Sequence, residues 1–126
     1  MKKETLTPQE WTVMSALWGH EAQSLSQVIA SMGSTVDWSY TTYASYLTKM
    51  VQKGFVGFHA KGRDKFYYPI KEKDECIEAE GRSLLSKLNR DSAKKLLICM
   101  IREGNLTKED QADLKALIDD LSRESE

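Results

Sequence analysis

Two histidines, His20 and His59, and two cysteines, Cys76 and Cys99, are the only side chains of those types in the sequence, and none has a partner of its kind nearby. Nucleophilic catalysis needs a nucleophile, a base and an orienting group in one constellation, and no motif here supplies all three, so the residues argue against an enzyme. The wide spacing of the cysteines excludes a metal knuckle and a C-x-x-C redox pair, so both read as plain buried thiols and no metal or cofactor is expected. What remains is hydrogen-bonding and charge chemistry in two places. The stretch "DWSYTTYASYLTKMVQKG", Asp37 to Gly54, carries hydroxyls where the outward face of a helix would ordinarily carry charges. Lys61-Gly62-Arg63-Asp64 places two cations in a glycine-containing turn.

A chain of 126 residues suffices for one ordinary domain, or a small module with a helical extension. With 40% hydrophobic and 29% charged residues and only two prolines, it has the apolar content of a folded protein rather than a disordered one. No apolar run is long enough to insert in a membrane, and "MKKETLTPQE" runs from lysines into a helix start without a signal segment, so a cytoplasmic location is expected. The formal net charge of -1 argues against a nucleic-acid partner, but its distribution weakens that argument and permits one: residues 1–70 hold seven Lys/Arg against five Asp/Glu, and residues 71–126 hold eleven against fourteen. The basic excess lies with the hydroxyl-rich stretch.

The elements that must position these groups follow from capping chemistry and periodicity. Thr7-Pro8-Gln9-Glu10 combines a capping hydroxyl, a proline at the first helical position and a carboxylate three residues after the cap, which predicts a helix with Trp11, Met14, Leu17 and Trp18 on its inner side and Gly19 at its end. Ser24 with Gln27 opens a second helix that stops at Gly33. Ser39 caps the third, whose inward stripe is Tyr43, Tyr46, Leu47 and Met50 and whose C-cap is Gly54. The period then changes to two in "FVGFHA" and "KFYYPI", a β-hairpin with a basic tip. Three short helices followed by such a hairpin make a winged helix-turn-helix, in which the third helix enters the major groove and the wing touches the backbone.

Beyond Pro69 the pattern is helical again. It predicts helices over Asp74 to Leu88, over Ser92 to Glu103 ending at Gly104-Asn105, and after a Thr107/Asp110 cap. The fold class is therefore mainly α with a small β-hairpin wing, divided into a winged helix-turn-helix DNA-binding domain over 1–70 and a helical dimerisation domain over 71–126. Leu84, Leu88, Leu97, Ile98, Ile101, Leu114, Leu117, Ile118 and Leu121 give the second part more apolar surface than about 55 residues can hide alone. A second copy would cover it, and a two-fold homodimer also suits an inverted-repeat site on double-stranded DNA.

"LTPQEWTVMSALW", "DWSYTTYASYLTKMVQKGFV" and "GRDKFYYPI" resemble the corresponding segments of the BlaI/MecI/CopY family of winged-helix repressors, over a span from Leu6 to about Leu121. The resemblance implies a homodimeric transcriptional repressor that occupies an inverted-repeat operator, with a sensor-linked protease as the partner that relieves repression in the antibiotic-responsive branch. Two departures bear on the branch. The C-terminal C-x-C…C-x-C cluster of the copper-responsive members is missing from "LIDDLSRESE", and the Asn-Phe bond cut in the antibiotic-responsive members corresponds here to Cys99-Met100.

By the same resemblance the recognition-helix contacts are Ser39, Tyr40, Thr41, Thr42, Ala44, Ser45, Thr48 and Lys49, and the wing and backbone contacts are Lys53, Lys61, Arg63 and Lys65. Family members usually carry Lys or Arg where Thr41 and Ala44 stand, so bidentate purine contacts give way to hydroxyl hydrogen bonds, thymine-methyl contacts and DNA shape. An alternative keeps the scaffold but makes it a protein-protein interaction module acting through the acidic C-terminal half.

Overall fold

The structure, a computed structural model, describes residues 5–125; Met1–Glu4, where the leader expectation falls, lie outside the described residues. Helix α1 (Pro8–Leu17) begins with a complete capping box: the Thr7 hydroxyl accepts from the Glu10 amide and the Glu10 carboxylate accepts from the Thr7 amide. Strand β1 (Gln23–Ser24) leads into α2 (Leu25–Met32), where Ser24 and Gln27 form a second box. Helix α3 (Tyr40–Lys53) is capped by the Ser39 hydroxyl and ends at Gly54. Gly54 has φ +85°, the left-handed conformation that lets its N–H turn back to the helix carbonyls; a side chain here would be strained by about 1–2 kcal/mol.

Strands β2 (Val56–Lys61) and β3 (Asp64–Pro69) form the expected antiparallel hairpin, joined by Gly62 and Arg63. Only Gly62 of the two has a positive φ, +65°, the arrangement of a primed hairpin turn that matches strand twist. The sheet has a third strand that the sequence reading lacked: β1 pairs with β3, Gln23 opposite Tyr67 and Ser24 opposite Phe66, in the order β1-β3-β2. Two residues are too few to show alternation, and Ser24 serves both as a sheet partner and as the α2 cap.

The chain divides into two compact units, the first ending at Leu84 and the second beginning at Leu85, within α4 (Lys73–Lys87). The core of the first unit gathers Val13, Met14 and Leu17 of α1, Val28 and Met32 of α2, Tyr43, Leu47 and Met50 of α3, and Phe55, Val56 and Tyr67 of the wing. Cys76, near the start of α4, is buried in the same core. Trp18 ties the approach to α4 to α1, its indole N–H donating to the Lys71 carbonyl at 2.9 Å. Trp11 and Trp18 are only half-buried, in edge-to-face contact with ring centroids 5.6 Å apart, while Glu10 and Val13 take deeper places that periodicity did not assign them.

In the second unit, α5 (Arg90–Glu103) is capped by Asn89 and α6 (Lys108–Glu124) by the Thr107/Asp110 box. Between them Asn105, not Gly104, takes the left-handed conformation, φ +57°. Neither helix buries a residue within the chain. Of the apolar residues expected at a dimer interface, Leu97, Ile98, Ile101, Leu117, Ile118 and Leu121 are exposed, and Leu84, Leu88 and Leu114 are half-buried. Cys99, expected to be buried, is exposed on α5, a helix with no buried residue of its own. Among the described residues no helix is long and apolar enough to cross a membrane.

Candidate nucleic-acid interface

The buried stripe of α3 determines what its other side presents. Tyr43, Leu47 and Met50 point into the core, and Trp38 stacks on Tyr46 with centroids 4.7 Å apart while tilting against Tyr43. Tyr40, Thr41, Ser45, Thr48 and Lys49 are left exposed, with Ala44 half-buried between them. At the helix start Ser39 accepts from the Thr42 amide at 3.2 Å, and the two hydroxyls share a hydrogen bond at 3.0 Å. These two groups are thus ordered at the N-terminus of α3, where the partial positive end of a helix favours an anion.

Part of the exposed face of α3 meets the wing in one groove, which Thr41, Ser45 and Lys61 do not line. Tyr40, Ala44 and Thr48 of α3 line it together with Arg63, Asp64, Lys65 and Tyr67 of the wing and Ser24, Leu25 and Ser26 at the start of α2. The opening is polar and holds about 390 Å³. A second recess on the helix places Thr48, Val51 and Gln52 beside Phe58, Lys65 and Tyr67, and the Lys65 ammonium lies over the Phe58 ring, 4.7 Å from its centroid. Lys49 sits similarly near Tyr46, at 5.9 Å. Lys61 and Arg63 are exposed at the tip. Burial, and secondarily the neighbouring Tyr40 phenol, pushes the Tyr67 hydroxyl up from its ordinary range, so it remains a protonated donor. The contribution of Ser24, Leu25 and Ser26 to this groove was not legible beforehand, since it depends on how α2 packs beside β3.

Lys53 is placed differently from the expectation. Its ammonium bonds the Glu10 carboxylate at 2.8 Å, with Glu10 almost fully buried and Lys53 mostly covered, so it is committed to an internal ion pair rather than held out toward a phosphate. Burial pushes the Glu10 carboxyl up, but hydrogen bonds from Lys53 and from the Thr7 amide, with the Lys53 charge, outweigh this and leave its pKa below the ordinary value. A carboxylate with a depressed folded-state pKa contributes stability above the unfolded value that is lost as pH falls through the folded one. Urea unfolding of the wild type should therefore show stability falling as the solution is taken below the ordinary carboxylate range, and Glu10→Gln should flatten that fall.

Burial, with the Glu75 charge, pushes Cys76 up, and Cys99 is pushed up by its hydrogen bond to Glu103. Among the described residues no group of three or more His, Cys, Asp and Glu is placed to hold a metal ion.

Three helices, a small sheet and a basic hairpin tip beside the third helix define a winged helix-turn-helix. The sequence profile of the penicillinase repressor family matches residues 6–120, and the chain belongs to that family. It is similar to the penicillinase repressor of Bacillus licheniformis, 24% identical over 121 residues that make up 95% of this chain and 94% of that one. It is also similar to the methicillin resistance regulatory protein MecI of Staphylococcus aureus strain N315, 20% identical over 117 residues, 93% of this chain and 95% of that one. Among solved structures, the Bacillus licheniformis BlaI monomer in complex with the blaP half-operator matches with a TM-score of 0.51 and 27% identity, covering 59% of this chain and 90% of that one. The family is one of transcriptional repressors rather than of enzymes.

Proposed function

We propose that this protein is a cytoplasmic, homodimeric transcriptional repressor that blocks a promoter by occupying an inverted-repeat operator. The observation that carries the reading is the groove in which Tyr40, Ala44 and Thr48 of α3 lie beside Arg63 and Lys65 of the wing, with Thr41 and Ser45 exposed on the same helix outside it. Donors and acceptors near the start of a recognition helix can reach base edges, and cations beside it can neutralise phosphates. A structural relative bound to its half-operator supports the same assignment.

In this reading Tyr40, Thr41, Ala44, Ser45 and Thr48 face the bases, Ser39, Thr42 and Lys49 flank them, and Lys61, Arg63 and Lys65 hold the backbone. The helical part from α4 onward supplies the dimer through Leu84, Leu88, Leu97, Ile98, Ile101, Leu114, Leu117, Ile118 and Leu121. Derepression belongs to loss of that dimer. A sensor-linked protease acting at Cys99-Met100, in the C-terminal half of α5, would divide the apolar face, although the bond must first unwind from its helix.

The lack of a long cation at Thr41 and Ala44, and the acidic balance of residues 71–126, favour one competitor, a protein-interaction module that has kept the scaffold. Replacing Thr41 and Ser45 by alanine separates the two. With a duplex selected by the wild type from a random library, the repressor should lose on the order of 10-fold in affinity, since a good base contact is worth roughly 1–3 kcal/mol, while random duplex is bound as before. An unchanged preference would remove Thr41 and Ser45 from the reading face.

A further inference from the structure

We infer that Glu10 and Lys53 form an internal strut that sets the pose of the recognition helix on DNA, with Lys53 acting as a positioning residue through Glu10 and touching no phosphate. The inference rests on the DNA-binding reading above. Lys53 is the last residue of α3, immediately before the left-handed Gly54 that closes the helix. Its ammonium reaches 43 residues back along the chain to Glu10 Oε2 at 2.8 Å. The other carboxylate oxygen, Oε1, accepts from the Thr7 amide at 2.9 Å, so the first turn of α1 clamps the carboxylate before Lys53 meets it. A clamped, buried acceptor gives the contact a defined direction, unlike an exposed pair between two mobile side chains.

The Ser39 cap and the Trp38 stack on Tyr46 order the entry end of α3 locally and do not tie it to α1. The strut joins the exit end to α1, and Tyr40, Thr41, Ala44 and Ser45 lie in the half of the helix further from it. A helix of 14 residues is about 21 Å long, so a pivot of about 5° at the exit moves the first turn by roughly 2 Å. Hydrogen bonds to base edges do not survive such a displacement, whereas phosphate contacts by flexible cations do. Loss of the strut should act on discrimination and leave general DNA affinity in place.

The test compares Lys53→Met, Lys53→Arg, Glu10→Gln and the double variant Glu10→Gln/Lys53→Met, each checked for folding by circular dichroism at the assay temperature. Binding to the selected duplex and to random duplex is measured by fluorescence anisotropy across a salt series. Lys53→Met should lose about 10-fold for the selected duplex and less than about 2-fold for random duplex, the scale of one misplaced base contact. Its salt slope should match wild type, and Lys53→Arg, which keeps the cation, should stay close to wild type on both duplexes. Glu10→Gln preserves the capping box, so it remains informative should Lys53→Met fold poorly; it too should lose discrimination, and the double variant should be no weaker than the poorer single.

A Lys53→Met slope shallower by about 1.8 per dimer, with both duplexes weakened alike, would make Lys53 a phosphate contact and overturn the strut. So would Glu10→Gln binding both duplexes as wild type does. A wild type that selects no duplex at all would overturn the DNA-binding reading, and the strut with it, before any variant is compared.

Discussion

Aspartate at Leu97 and Leu117 should leave the chain folded but monomeric, and should weaken binding to a two-half-site duplex by on the order of 100-fold or more, the effective-concentration gain that linking two modules provides. Both side chains are more than half exposed, 57% and 54%, so neither contributes to a core that the single chain possesses. The substitutions cost the isolated chain little for that reason. In an interface the same carboxylates would be taken out of water without partners, a penalty of several kcal/mol each, and a two-fold axis places every substitution there twice. Sedimentation equilibrium reads the change in mass, and anisotropy on half-site and full-site duplexes reads the lost linkage. Half-site affinity should be unaffected. A variant that still sediments as a dimer would move the interface away from this face of α5 and α6.

Removal of Lys61 and Arg63 at the wing tip is expected to have the second large effect, and its signature is electrostatic. About three phosphates neutralised per protomer give a dimer a salt slope of about -5, at roughly -0.9 per phosphate. Alanine at both positions should remove about four phosphate contacts per dimer and bring the slope to about -2. Selected and random duplex should weaken together, because phosphate contacts position a protein without reading sequence. This outcome differs in kind from that of Thr41 and Ser45, where discrimination falls and the slope stays. A slope that does not change would take the wing off the DNA backbone.

The contrast between these groups also explains what the sequence could and could not convey. Capping is local chemistry, and the Thr7/Glu10, Ser24/Gln27, Ser39 and Thr107/Asp110 helix starts were all legible because each is decided within four residues. The hairpin was legible from alternation and its glycine turn, and the inward stripe of α3 from its spacing. The two-residue β1 was not, since its only sign is pairing with a distant strand. Glu10 showed itself as half of a capping box, but its second oxygen belongs to Lys53, and that partnership exists only after α1 and α3 have packed. The same dependence on packing hid Ser26 and Tyr67 in the groove. Cys99 misled in the opposite direction: an apolar helix suggests burial, yet burial of α5 requires something beyond the single chain.

The central claim is that two winged helices read an inverted repeat together. Its most direct test is a footprint of the full-length wild-type chain on the duplex that it selects from a random library, with binding to that duplex and to random duplex titrated at the same moderate salt. The account predicts two protected half-sites centred about 10 base pairs or a multiple of that apart, and a preference over random duplex of about 1,000-fold or more. Equal affinity for selected and random duplex, with no footprint, would contradict it.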